Sequence, residues 1–173
     1  MFREMRRKKQ VLPLAESIAV LQRGTSGVLA VAGDNDYPYA VPLSYAYHDS
    51  KLYFHCAKSG HKLDAIARCP KVSFCVIDKD QVVPEEYTAY FRSVIAFGQA
   101  RLIEDEAEKR RTLEFLAVRY APGDDEGRRK AIESELGQLH MLELTIEHMT
   151  GKEAIELVRM KQGAKHGETA AKP

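Results

Sequence analysis

Cysteine is scarce in this chain and odd in number: Cys56, Cys69 and Cys75 are the only three, and no two have CxxC spacing. That excludes a disulfide framework and a zinc knuckle, and leaves reduced thiols as the expectation. Net charge is nearly absent too. With 26 Lys and Arg against 25 Asp and Glu, the formal charge of +1 provides no field to draw nucleic acid or an acidic membrane. Long apolar runs are missing, none approaching the roughly 20 residues of a membrane-spanning helix. The basic cluster Arg3, Arg6, Arg7, Lys8 and Lys9 is followed only by a short apolar stretch, 11–15, that contains Pro13 and stops at Glu16. Such a stretch is too short for a secretory signal, so a cytoplasmic protein is expected. Gly24-Thr25-Ser26-Gly27 is neither GxGxxG nor a phosphate-binding loop, and G-x-S-x-G does not occur, which removes the common nucleotide and hydrolase signatures.

What is present is the balance of a folded protein: 45% apolar and 29% charged over 173 residues, enough to close one core. One domain over 1–160 is expected, with a disordered tail at 161–173 where GAKHGETAAKP offers nothing to a core. Leu14, Ile18 and Leu21 predict a helix over 14–22. Strands are expected over 27–32, 38–47 and 51–57, separated by the turn sequences Gly33-Asp34-Asn35-Asp36 and His48-Asp49-Ser50. A short helix containing Lys62, Leu63 and Ile66 must stop before Pro70. Beyond it the pattern predicts a strand over 72–77, a polar loop over 78–88, and a strand over 89–102 with Gly98 as a bulge or close approach. A helix over 105–120 and a partly helical polar stretch to 137 follow, then a strand over 139–146 and a last helix over 151–160, with Thr150 as its N-cap. Six strands, short turns and little parallel alternation predict a mainly β fold, a closed or partly closed antiparallel barrel with peripheral helices.

The chemistry concentrates in YFHCAKSGHKLD, residues 53–64. His55, Lys58, Ser59, His61 and Lys62 gather where a strand gives way to a helix. Backbone N–H groups at a helix start, a hydroxyl and cations form the set that holds a phosphate. The same residues also suit a solvated polar loop that caps a helix. Upstream, Tyr37, Tyr39, Tyr45 and Tyr47 with Pro38 and Pro42 make a bulky surface that suits either a flat ring or ordinary sheet packing. His55, Cys56 and His61 fit no standard zinc spacing, so no metal is expected.

In order along the chain, YPYAVPLSYAY, KLYFHCAKSGHKLDAI, ARCPKVSFCVI, YFRSVIAFGQARLI and MTGKEAIELVR resemble the nitroimidazole-resistance (Nim-like) branch of the pyridoxamine 5'-phosphate oxidase-like FMN-binding split-barrel superfamily. The resemblance covers about Thr25 to Arg159. It implies a six-stranded split barrel, a homodimer, and FMN bound at the subunit interface. By motif, it matches Ala40, Val41, Pro42, Leu43, Ser44 and Tyr45 to the strand whose backbone meets the flavin ring. His55 and Cys56 match the strand end near the ribityl phosphate, His61 and Lys62 the basic pair on that phosphate, and Ser93 a later-strand position that usually presents glutamine. In that correspondence Lys62 would face the phosphate as a point cation.

Three departures separate the chain from true pyridoxamine phosphate oxidases. Tyr45 and His61 stand where those enzymes carry basic residues, and their C-terminal Arg-x-His is replaced by Leu157-Val158-Arg159. Vitamin B6 oxidation is therefore not expected. The resemblance implies a flavin-dependent oxidoreductase that reduces a small acceptor, nitroaromatics included, with redox chemistry carried by FMN. His55 is the candidate catalytic residue, as proton donor or substrate contact, because imidazole exchanges protons near neutrality; its alternative role is to anchor the phosphate side. The competing reading is a non-enzymatic haem- or flavin-binding or storage protein of the same fold.

Overall fold

The computed structural model describes residues 1–169, with side chains through 163. Its elements run α1 (Leu14–Arg23), β1 (Ser26–Ala32), β2 (Pro38–Ser44), β3 (Ala46–His48), β4 (Lys51–Cys56), α2 (His61–Arg68), β5 (Lys71–Val83), β6 (Thr88–Ile103), α3 (Glu106–Tyr120), α4 (Asp125–Glu135), β7 (His140–Glu153) and α5 (Ile155–Thr169). The strands form one seven-stranded sheet in the order β2-β1-β5-β6-β7-β4-β3. The expected class, a mainly β antiparallel split barrel with peripheral helices, is the class found.

The strand count is corrected from six to seven, and the reason is a change of partner. Residues 38–47 read as one strand because aromatic and β-branched residues run through them without a break. In the structure, β2 pairs antiparallel with β1 up to Ser26↔Ser44, and β3 pairs antiparallel with β4 from Ala46↔Tyr53. Tyr45 alone separates the two edge strands. Among the described residues no ladder joins β2 to β3, so the sheet stays open and the covalent chain crosses the gap at Tyr45. Asp49 and Ser50, at φ 47° and 59°, close the β3–β4 hairpin as a two-residue loop requires.

The chain forms two compact units. The first comprises Met1–Gly24, Val76–Ile95 and the described residues from Met149. Its small core is Tyr90, Ala154 and Leu157, with Val83 and Phe91 against them. Asp78 accepts hydrogen bonds from Arg23 and, at 3.2 Å, from Arg92. Arg92 also donates to the buried Glu153 at 3.0 Å, and Lys161 donates to the same carboxylate at 2.8 Å. This pairing of Asp78 lets β5 run on to Val83, where the polar sequence read as a loop. β7 likewise runs on to Glu153, so Thr150 is a strand residue and not an N-cap. The local helix signal loses to tertiary pairing: Leu12 N–H donates to Gly151 O at 2.9 Å and Val11 bridges Lys152. The last helix starts at Ile155 and continues past Met160 to Thr169; the end of the expected disordered tail, 170–173, lies outside the described residues.

The second unit comprises Thr25–Cys75 and Ala96–His148. Tyr45 and Phe54 each set a ring edge against Phe74 at 5.0 Å between centroids, and all three are fully buried. A second cluster, including Tyr53, Leu113, Leu116, Ile132 and Met141, seats α3 and α4. Gly98 is the close approach its position suggested: a Cβ there would lie 1.9 Å from Thr145 O, so no larger residue fits.

Candidate functional site

The start of α2 is a bare helix end. Gly60 holds the N-cap position at φ 136°, and no side chain caps the helix there. A Cβ on Gly60 would meet nothing within 4 Å, so the space in front of the first turn is open. Leu63 N–H and Asp64 N–H donate to Gly60 O, at 2.9 and 3.3 Å, while the first two N–H groups of a helix have no partner within it. The N–H groups of His61 and Lys62 thus face the opening with the positive end of the helix dipole. Lys62 is half-buried, and its charge reaches the thiol of Cys56 at the end of β4. Burial pushes that thiol up, against the pull of Lys62. Cys56 therefore stays a neutral, buried thiol.

His61 is held differently from Lys62. Its ring stacks on Tyr39 of β2 at 4.2 Å between centroids. Its Nε2 lies 3.4 Å from Asp34 Oδ2, is shielded from solvent, and makes no hydrogen bond. Asp34 also accepts from Arg68 at 2.7 Å. The β1–β2 turn thus sets a carboxylate beside one member of the expected basic pair, a neighbour that sequence spacing of His61 and Lys62 did not reveal.

Along β2 exposure alternates as a strand requires. Ala40, Pro42 and Ser44 face outward, while Val41 and Leu43 are half-buried. Small side chains on the open face of an edge strand leave its backbone approachable by a flat ring. Tyr45 takes no part with its side chain, which is core. Its N–H donates to the hydroxyl of Tyr120 at 3.1 Å, and that hydroxyl in turn donates to Thr25 O. Ser93 lies half-buried on β6 in the first unit.

His55 is exposed on β4, and with Ser44 it lines a cavity of about 450 Å³. Its other walls come from α3 and α4, chiefly Leu116, Ala117, Ala131 and Ile132. The helix over 105–120 was legible from its period, yet nothing local showed that its Leu113, Leu116, Ala117 and Tyr120 face meets a residue more than fifty positions earlier. Behind β4, buried Glu143 on β7 accepts from Lys51 at 3.0 Å and Arg101 at 3.1 Å. Burial pushes its carboxyl up, but the hydrogen bonds from Arg101 and Lys51 outweigh that and hold it below the usual range. Tyr53, buried beside Glu143, has its phenol pushed up to about 12, first by burial and then by that carboxylate.

Residues 13–153 match the family model described as Pyridoxamine 5'-phosphate oxidase. No curated protein matches the chain. Among solved structures, it is similar to a candidate 5-nitroimidazole antibiotic resistance protein from Bacteroides thetaiotaomicron, with TM-score 0.70 and 20% identity over 82% of this chain and 85% of that one. A FAD-binding protein from Mesorhizobium loti is 26% identical, with TM-score 0.62 over 84% of this chain and 97% of that one. A FAD and haem binding protein from Mycobacterium smegmatis is 24% identical, with TM-score 0.73 over 84% and 73%.

Proposed function

The chain belongs to the pyridoxamine 5'-phosphate oxidase family, and from that premise we propose that it is an FMN-binding flavoprotein that reduces a small acceptor, nitroaromatics included. The observation that carries the proposal is the uncapped start of α2 with Lys62 in its first turn. The residues there fit a phosphate: two backbone donors, an ammonium, and room in front of Gly60. Lys62 and the N–H groups of His61 and Lys62 hold the phosphate. The outward face of β2 at Ala40, Pro42 and Ser44, with the backbone of Val41 and Leu43, seats the ring. When bound, FMN supplies the electron transfer. His55, exposed beside Ser44, gives or takes a proton at its imidazole, and Leu116, Ala117 and Ile132 exclude water from that side. Cys56 contributes backbone alone, Ser93 belongs to the site by resemblance, and Tyr45, fully buried with its backbone N–H bonded to Tyr120, supports the strand end from behind.

A homodimer with FMN at the subunit interface and a cytoplasmic location belong to the same proposal. Support for the first is that β2, which carries the ring-binding residues, is an edge strand. Among the described residues no helix is long and apolar enough to cross a membrane. The second reading is FAD in place of FMN, favoured by the Mesorhizobium loti neighbour named for FAD binding. The test is a titration of the full chain with FMN. Exchanging Lys62→Gln is expected to weaken binding about tenfold or more, the scale of one charge-assisted hydrogen bond, whereas Lys62→Arg keeps most of it. Equal affinities for the wild type and Lys62→Gln would remove the phosphate site from α2.

A further inference from the structure

The cavity that His55 and Ser44 share with α3 and α4 has a charge balance of its own. Its walls carry three ionic side chains: Asp124, Arg128 and Glu135. Arg128 is committed elsewhere. Its Nη1 donates to Ala121 O at 2.8 Å, its Nη2 pairs with Asp125, and its Nε lies 3.4 Å from Glu114. With its side chain 10% exposed, that fork has little left to offer a ligand. One oxygen of Asp124 caps α4 by accepting from Gly127 N–H at 2.8 Å; its formal charge remains. Glu135 is exposed, and among the described residues its carboxylate makes no hydrogen bond or ion pair. The α3 contributions, Leu113, Leu116, Ala117 and Tyr120, bring no formal charge, and neither does Ser44 from β2. A ligand in this cavity therefore meets an apolar wall, the neutral hydroxyl of Ser44, the imidazole of His55, and two carboxylates with no available cation to offset them.

We infer that the cavity under α3 and α4 is the acceptor site and selects a cationic or uncharged small ring compound over an anionic one. About 450 Å³ lies within the range of ligand sites, roughly 300 to 1,000 Å³. Apolar walls favour a flat ring, and the carboxylates repel an anion at short range. A phosphate ester or a ring carboxylate is turned away. That the ligand is an acceptor rests on the flavoprotein reading; the charge selection rests on the cavity alone.

The experiment is calorimetric titration of the full chain, with and without FMN, by three probes that share a ring and differ in charge: 4-nitrobenzylamine, 4-nitrobenzyl alcohol and 4-nitrobenzoate. The amine is expected to bind tightest, the alcohol next, and the benzoate about tenfold more weakly than the amine. Glu135→Lys should reverse the order of amine and benzoate. Ala131→Trp, at an exposed position on α4, should weaken all three by about tenfold by filling the cavity, with an unchanged melting curve. Benzoate binding as tightly as the amine, or probe affinities indifferent to both substitutions, would overturn the inference. If the charge order and its reversal hold in a chain that takes up no FMN, the cavity inference stands and the flavoprotein reading falls. If FMN binds and the order is absent, the cavity inference falls and the flavin site stands.

Discussion

The hydroxyl of Tyr120 accepts a hydrogen bond from the backbone N–H of Tyr45 at 3.1 Å, so the residue where the sheet changes partners is satisfied by a helix and not by a strand. Tyr120 Oη also donates to Thr25 O. One phenol thereby ties α3 to the start of β1 and to the junction of β2 and β3. Tyr120→Phe leaves a backbone donor and a carbonyl without that partner, and is expected to cost about 1 to 3 kcal/mol of stability. Urea unfolding of the wild type and the variant measures it; a loss well below that range would mean the junction does not depend on the hydroxyl.

The run PYAVPLSYAY has the residues of a strand throughout, and local propensity carries no sign of which neighbour each half will pair with. Elements whose stop signals are local were readable: α1 from its apolar period, the β3–β4 turn from Asp49 and Ser50, α2 from Pro70, and the tight spot at Gly98. Those decided by distant partners were not. Asp78 and Lys152 look like loop and helix residues until Arg23, Arg92 and Val11 are set beside them. At the site, the residues of 53–64 proposed to hold a phosphate stood out in the sequence because they are contiguous. Asp34 beside His61, and Leu116 near His55, arise only from folding.

The Glu143 site sets a pH dependence at both ends. Lys51 and Arg101 hold the folded carboxyl below its ordinary value of 4.5, so the stability it adds is present above that value and is lost as pH falls through the lowered folded value. Tyr53 is the opposite case. Its phenol rises from 10.0 to about 12 in the fold, so its contribution is complete below 10.0 and is lost as pH climbs toward about 12. Denaturant melts across pH should show both shoulders, and Glu143→Gln should flatten the acid one; an unchanged acid shoulder would refute the assignment to Glu143.

If α2 holds a phosphate as proposed, Asp34 competes with it for His61. Asp34→Asn removes a charge 3.4 Å from Nε2 and is expected to tighten FMN binding by about threefold to tenfold, the effect of one nearby charge near a protein surface. Fluorescence titration of FMN measures it. Weaker binding in the variant would show that Asp34 positions the site instead of opposing it.

His55→Ala should keep FMN and lose turnover. An exposed imidazole acting in proton transfer is worth roughly a hundredfold or more in rate, while its removal takes no ionic partner from Lys62. Steady-state reduction of a nitroaromatic with FMN content measured in the same sample separates the roles. Loss of FMN from the variant would assign His55 to anchoring.

The most direct measurement is the visible absorption spectrum of the purified protein, with the released cofactor identified by chromatography. FMN at about one per chain, a full single site, is the result expected from Lys62 and the bare start of α2. A colourless chain that takes up no FMN from excess, or one that releases haem or FAD alone, would contradict it.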